Sequence, residues 1–300
     1  MKGNLEVYKV FYQVAVCQGI TAAAEQLCVS QPAVSQALRQ MEQEAGCLLF
    51  VRTPRGVRLT KEGSLLFDYV KKGMEAFEEG ESVLSKMLNL ETGEIRIGAS
   101  DMTLQFFLLP FLEKYHRQYP GIKIMVSNAP TPETICSLEE GKIDFGIVST
   151  PFDASQNVEA VKVREIANLF VAGDRFDDLK GKILDYSCLK DLPCVFLEKN
   201  TSTRRFMDEF LEEKGIFLEP EFELATSDMV VQFAKRNMGV GCVMGDFAKE
   251  DLRTGKLFQL NFNEKMPSRF ICVVSGKKEI LSAAGKKLMD MLTGSKIDMP

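Results

Sequence analysis

Apolar residues recur every three or four positions through residues 4–18, where Leu5, Tyr8, Phe11, Tyr12 and Ala15 fall at helical spacing. Residues 21–46, TAAAEQLCVSQPAVSQALRQMEQEAG, read as two helices with a break between them. Helix formers run to Leu27, then Cys28, Val29 and Ser30 interrupt, and helix formers resume. On a wheel advancing about 100° per residue from Val34, Leu38 and Met41 share its side, while Pro32, Ser35, Gln36, Arg39 and Gln43 take the other. The second helix therefore buries an aliphatic stripe and presents amides, a hydroxyl and a guanidinium. Ser30 is its expected N-cap with Pro32 in the first turn, and Thr21 is the expected cap of the helix before it. Residues 47–63, CLLFVRTPRGVRLTKEG, predict a short hairpin with Pro54, Arg55 and Gly56 at its tip. A long helix follows, proline-free from Lys61 to Leu90. Along it Phe67, Val70, Met74, Phe77, Glu81, Leu84 and Leu88 form a heptad seam with one polar position.

After ETGE (91–94) the period changes. Strands are expected at 95–100, 122–128 and 143–149, with helices over LQFFLLPFLEKYHRQY and PETICSLEEG between them. The rhythm recurs, with strands at 194–198, 221–225 and 240–244 and helices over STRRFMDEFLEEKG and SDMVVQFAKRN. Such βαβαβ order implies parallel sheets with helical crossovers. Two units of similar size predict a hinged pair with a cleft. A strand at 268–275 and a helix from about Glu279 to Leu292 close the chain.

Composition narrows the chemistry. The 300 residues, 45% hydrophobic and 26% charged, suit a soluble protein of two or three domains. Net charge is −5, yet over residues 1–60 Lys2, Lys9, Arg39, Arg52, Arg55 and Arg58 outnumber Glu6, Glu25, Glu42 and Glu44. The N-terminal end is thus basic within an acidic chain. Residues 1–19 hold no signal-peptide apolar core, and the densest apolar run, FFLLPFL (106–112), is too short to span a bilayer, so a cytoplasmic protein without membrane contact is expected. The 8 cysteines lack metal-ligand spacing and read as reduced, mostly buried thiols. With His116 the sole histidine, a His-based metal site or Ser-His-Asp triad has almost no material. The DFG at 144–146 lacks the Gly-rich and HRD loops of a kinase. No enzyme, metal or cofactor is expected.

The outward groups of the second helix are those that read base edges, since Gln pairs bidentately with adenine and Arg with guanine. A steep crossing over the small Ala23 and Ala24 makes this helix-turn-helix logic, with Arg52, Arg55 and Arg58 of the hairpin placed to touch phosphate. At this point ITAAAEQLCVSQPAVSQALRQMEQEAGCLLFVRTPRGVRLTKEG resembles the winged helix-turn-helix of the LysR-type transcriptional regulators. It shares the Ala-Ala, Ser-Gln-Pro-Ala-Val-Ser, Leu-Phe-x-Arg and Leu-Thr-x-x-Gly elements, and EIRIGAS, GKIDFGIV and NMGVGCVM stand at family positions further on. The resemblance covers nearly the whole chain. It implies an α/β protein with a winged helix-turn-helix DNA-binding domain at 1–62 and a linker dimerisation helix at 63–91. The effector-binding regulatory domain at 92–300 is of the type 2 periplasmic-binding-protein kind, with subdomain I at about 92–161 and 268–300 and subdomain II at about 162–267. The implied partners are double-stranded DNA, a polar or anionic small-molecule effector, further copies of the chain (dimer or tetramer) and RNA polymerase. The DNA-binding candidates are Thr21, Ser30, Gln31, Pro32, Ser35, Gln36, Arg39, Arg52 and Arg55, and the dimerisation candidates Val70, Met74, Phe77 and Leu84. Met41, where leucine is usual, and Gly245, where proline often stands, depart from the pattern.

Ser100 and Thr201, Ser202 and Thr203 each follow an expected strand and open a helix, where α/β folds bind ligands. Hydroxyls and unpaired N–H groups there suit an oxyanion, though N-capping alone is an equally ordinary use. Asn128, Pro130 and Thr131, and Thr226 with Ser227, hold the corresponding places at neighbouring strand ends. With Met102 beside Ser100, the effector set is Ser100, Met102, Asn128, Thr131, Thr201, Ser202, Thr203 and Thr226. A second function class is a thiol-based redox-sensing regulator of the same fold using Cys188 and Cys194, six residues apart.

Overall fold

A computed structural model of the chain describes residues 4–54, 56–277 and 280–294. Arg55, expected at the hairpin tip, and the expected start of the last helix near Glu279 lie outside the described residues. The chain forms two compact units, residues 1–86 and 87–300.

In the first unit α1 (Leu5–Cys17) starts at Asn4, whose side chain accepts from the Glu6 N–H. Its fully buried residues are Phe11 and Val14, flanked by Val7, Tyr8 and Val10. Leu5 stays 54% exposed because the buried stripe runs through 7, 11 and 14 and misses it. Helix α2 (Ile20–Gln26) starts two residues earlier than a Thr21 cap would place it, at an extended Gly19 that has no side chain to cap with; Thr21 lies inside the helix and is not its cap. Ala23 and Ala24 are buried, and α3 (Gln31–Ala45) packs on α2. The Ser30 hydroxyl accepts from the Ala33 N–H at 3.4 Å, Pro32 sits in the first turn, and Val34, Leu38 and Met41 form the buried stripe. Strands β1 (Phe50–Thr53) and β2 (Gly56–Leu59) pair antiparallel as the wing.

Two glycines let the wing close on the helices. Gly56 has φ +128°, and a Cβ there would meet the Gln18 carbonyl oxygen at 2.2 Å. A Cβ on Gly63 would meet the Leu49 carbonyl oxygen at 2.1 Å. Between them the Thr60 hydroxyl donates to Leu48 O at 2.8 Å and accepts from the Gly63 N–H at 2.9 Å. The Leu-Thr-x-x-Gly element is thus the joint from wing to helix α4 (Lys61–Leu88). Glu42 of α3 adds a staple: its Oε1 accepts from Leu49 N–H at 2.8 Å and Phe50 N–H at 3.1 Å. The seam residues of α4 divide. Phe67 and Val70 pack on the winged-helix core, with Phe67 stacked on Tyr12 at 5.8 Å. Val70 therefore already has a partner within the chain, and Met74 is half-buried. Phe77, Leu84 and Leu88 are 52%, 57% and 65% exposed.

In the second unit β3 (Gly93–Ala99) leads through α5 (Asp101–Thr103) and a π-helical turn at Leu104–Leu108 into α6 (Leu109–Gln118). The wide turn lies just before Pro110, which has no N–H for the ladder. Then come β4 (Ile122–Asn128), α7 (Thr131–Glu139), β5 (Phe145–Ser149) and β6 (Val158–Ile166). The chain crosses at Ala167 into β7 (Asn168–Ala172), β8 (Ile183–Leu184), β9 (Cys194–Leu197), α8 (Ser202–Glu212), β10 (Phe222–Leu224) and α9 (Ser227–Lys235). After β11 (Val240–Met244), α10 (Gly245–Arg253), β12 (Phe258–Gln259) and β13 (Asn261–Phe262), it returns through β14 (Arg269–Gly276) and ends in α11 (Ala283–Gly294).

The sheet orders are β4-β3-β5-β14-β6 and β10-β9-β11-β7-β12. Both are mixed, which corrects the expectation of parallel sheets. β14 runs antiparallel to β5 and β6, and β7 antiparallel to β11 and β12, because these are the strands by which the chain leaves and re-enters each half. β6 belongs to the first sheet as far as Ile166, five residues past the expected boundary at 161. Gly245 opens α10 and its N–H donates to Ala167 O at 3.0 Å, a bond that proline at this position could not make. No helix among the described residues is long and apolar enough to cross a membrane.

Candidate functional site

In the first unit, Gln31, Pro32, Gln36 and Arg39 are exposed on the outer face of α3. Ser35 is half-buried and accepts from Gln31 Nε2 at 3.2 Å, so these two side chains stand pre-aligned. Thr21 and Ser30 are exposed at the starts of α2 and α3, and Arg52 and Arg58 are exposed on the two wing strands. The arrangement is a polar helix face flanked by guanidinium groups.

In the second unit one cavity of about 240 Å³ is lined from both sheets. Every one of Ser100, Met102, Asn128, Thr131, Thr201, Ser202, Thr203 and Thr226 lines it. The fold brings them together because α7, α8 and α9 all start at this place. Some of these hydroxyls do cap. Ser100 forms a reciprocal capping box with Thr103, and Thr201 accepts from the Arg204 N–H at 3.2 Å. Thr226 stands at the cap position of α9 and makes no capping bond. Asn128 is exposed, and its Nδ2 donates to Asp101 Oδ1.

Beneath the cavity lies a residue that sequence reasoning missed. Arg269, at the start of β14, is 1% exposed. Its Nε donates to Thr150 O at 2.6 Å, Nη1 to Asn168 Oδ1 at 3.1 Å and Thr203 Oγ1 at 2.9 Å, and Nη2 to Ser149 Oγ at 3.0 Å and Ser202 Oγ at 3.2 Å. The guanidinium thus ties the β5 and β14 side of the cleft to the start of α8. Burial lowers its pKa to about 10, so it remains a cation at neutral pH. The serine hydroxyls of 149 and 202 lie 2.6 Å apart, and Thr131 Oγ1 donates to Ser202 Oγ at 3.4 Å. The available signal was an arginine inside the apolar run SRFICVVS, since a charge is seldom buried without a partner.

The thiols tell a different story. Cys194 is buried in β9, and burial, then Glu221, pushes its pKa up to about 12. Burial, then Asp185 and Asp191, also raises that of Cys188. Neither has the lowered pKa that a redox-sensing thiol needs. Among the described residues no group of three or more His, Cys, Asp or Glu side chains is placed to hold a metal.

A winged helix-turn-helix joined to a two-sheet α/β unit with a polar cleft defines the class: a DNA reader fused to a ligand-binding body. The chain belongs to the LysR family of bacterial regulators, with residues 5–64 matching the bacterial regulatory helix-turn-helix protein, lysR family, and residues 89–295 the LysR substrate binding domain. It is 27% identical over 289 residues to the RuBisCO operon transcriptional regulator of Allochromatium vinosum, spanning 95% of this chain and 94% of that one. The fold matches a full-length OxyR variant from Pseudomonas aeruginosa with a TM-score of 0.76 at 18% identity, over 97% of this chain and 99% of the other. It also matches full-length CbnR complexed with its target DNA, with a TM-score of 0.64 at 16% identity over 97% and 98%.

Proposed function

We propose that this chain is a cytoplasmic, sequence-specific regulator of transcription whose DNA binding is switched by a small molecule held in the cleft of the second unit. The carrying observation is that one cavity is lined by all eight nominated residues, drawn from both sheets. Base reading falls to Gln31, Ser35, Gln36 and Arg39, and phosphate contact to Arg52 and Arg55. Support comes from the exposed polar face of α3 and from the similarity to CbnR, solved on its target DNA. The exposed Phe77 and Leu84, with Met74, are the seam on which a second copy packs, so that two readers address half-sites about one DNA turn apart. The raised thiols give the redox alternative no support.

The test selects duplexes from a random pool with the full chain and footprints the winners with and without metabolite fractions. The expected result is a site of paired half-sites whose protection changes with a small molecule. Ser100→Ala with Thr226→Val should then abolish the response and keep basal binding. Thr203→Val is the poorer probe, because it removes an acceptor from the buried guanidinium. Absence of sequence preference would refute the DNA reading, and an unchanged response in the double variant would refute the cleft.

A further inference from the structure

The cavity is electrically two-ended. At its floor Arg269 is a buried cation whose five N–H groups all go to neutral oxygens, with the Phe206 ring 5.2 Å from the guanidinium carbon. A buried charge without a counter-charge is costly, so the site favours an anion nearby. The guanidinium does not itself line the cavity; hydroxyls stand between. Ser149, Ser202 and Thr203 each accept from Arg269, so each must send its own proton elsewhere. The 2.6 Å contact between Ser149 and Ser202 uses one of those protons. One from the serine pair and one from Thr203 remain as donors, polarised by the cation behind them. Two such donors match the two oxygens of a carboxylate.

The other end has the opposite sign. Of the described residues lining the cavity, the two with ionisable side chains are Asp101 and Glu198, and no lysine or arginine is among them. Asp101 is fixed beside the cavity by the Asn128 amide. A simple anion would bring its charge towards these carboxylates without a counter-charge. A ligand carrying both signs satisfies floor and rim together. The cavity of about 240 Å³ suits a small skeleton, having room for about eight water volumes.

We propose, on the strength of the cleft reading above, that the effector is an amino-acid-like zwitterion, its carboxylate on the hydroxyls of Ser149, Ser202 and Thr203 backed by Arg269, and its ammonium towards Asp101. Arg269 is then a positioning residue, acting through the hydroxyls it orients.

The test is calorimetry and thermal shift of the full chain against three matched panels: amino acids, the same skeletons without the amino group, and the same skeletons without the carboxyl. At least one amino acid should bind, with both counterparts weaker on the order of tenfold or more. Asp101→Asn should collapse the preference for the amino form while leaving the carboxyl requirement intact. Arg269→Gln should weaken every carboxyl-bearing ligand; if it fails to fold, the Asp101→Asn ratio decides alone. A simple anion that binds as tightly as any amino acid overturns the proposal, as does an unchanged ratio in Asp101→Asn or silence from all three panels. A neutral metabolite that stabilises the chain and loses affinity in Thr226→Val sinks the zwitterion and leaves the cleft reading intact. A ligand indifferent to both Thr226→Val and Asp101→Asn sinks both.

Discussion

Glu42 ties helix α3 to the wing. It stands on the recognition helix, and one carboxylate oxygen takes two backbone N–H groups at the start of the wing, Leu49 at 2.8 Å and Phe50 at 3.1 Å. Leu49 is 2% exposed, so water does not readily replace the lost acceptor there. A hydrogen bond to a charged group contributes about 1.5–3 kcal/mol, and two bonds sharing one oxygen fall short of additivity. Glu42→Ala should therefore cost about 2–4 kcal/mol of local stability. Glu42→Gln keeps an oxygen in place and loses the charge, so its cost should be about 1 kcal/mol. Hydrogen exchange across residues 42–60 of the full chain reads this directly. Since 1.4 kcal/mol is a factor of ten, exchange at Leu49 and Phe50 should rise about 30-fold to several hundred-fold in the alanine variant. The wing should loosen from α3 and operator affinity should fall with it. Unchanged protection at these two amides, or a glutamine variant as fast as alanine, would refute the reasoning.

Three further outcomes are expected. Arg39→Ala should cost about 1–3 kcal/mol on the selected site and little on random DNA, whereas Arg52→Ala should weaken all sequences alike and flatten the salt slope by roughly one; competition binding across a salt series separates them. Phe77→Asp should place an unpaired charge in the seam of α4 and split the assembly, and sedimentation showing equal mass for both proteins at micromolar concentration would exclude that seam. A thiol whose folded pKa is raised stays protonated until the pH climbs past that value. Alkylation of Cys194 should thus remain slow at pH 7 to 9 and accelerate only towards about 12, with Cys188 also slower than an unperturbed thiol, as mass spectrometry of each site will show.

Elements announced by local chemistry were legible in the chain itself. The Ser30 cap, the Val34, Leu38 and Met41 stripe and the hairpin all rest on neighbours within a few residues. The converging helix starts around the cleft were legible for the same reason: a short polar residue between strand and helix marks the place. What stayed hidden depends on partners far along the chain. Ser149 looked like the end of an apolar strand, and Arg269 like a stray charge in another, yet they meet across 120 positions. The antiparallel strand β6 mixes polar and apolar residues and β7 is a short run of five, and only their pairing with β14 and β11 declares them. The division of the α4 seam escaped notice because a heptad pattern does not say which partner covers which position.

Side chains tie the two halves of the second unit to each other, which sets what an effector must add. Arg164 of β6 pairs with Asp246 of α10 at 3.0 Å, and the rings of Phe106 and Phe247 meet edge-on at 4.6 Å. Arg205 of α8 reaches Asp153 beyond β5 at 2.5 Å, but that pair is largely exposed and contributes little. The edge-on ring pair adds about 0.5–1.5 kcal/mol. The largest tie is Arg269, whose bonds to Ser202 and Thr203 cross the cleft. An effector moves such an arrangement only by its differential affinity for the two states. Shifting a 1:99 equilibrium to 99:1 takes about 5.5 kcal/mol. At a mid-range value of about 2.2 kcal/mol for a hydrogen bond to a charged group, two hydroxyl donors on a carboxylate give about 4.4 kcal/mol and fall short, whereas adding the carboxylate on the ammonium brings the sum to about 6.6 kcal/mol. Removing the Asp101 contact should then leave a ligand that still occupies the cleft but no longer completes the switch. In titrations of Asp101→Asn, saturation by calorimetry should be reached while the change in operator protection stays well below the wild-type maximum. If the variant instead gave full protection change at saturation, the three contacts would not act together, and the switch would belong to the floor alone.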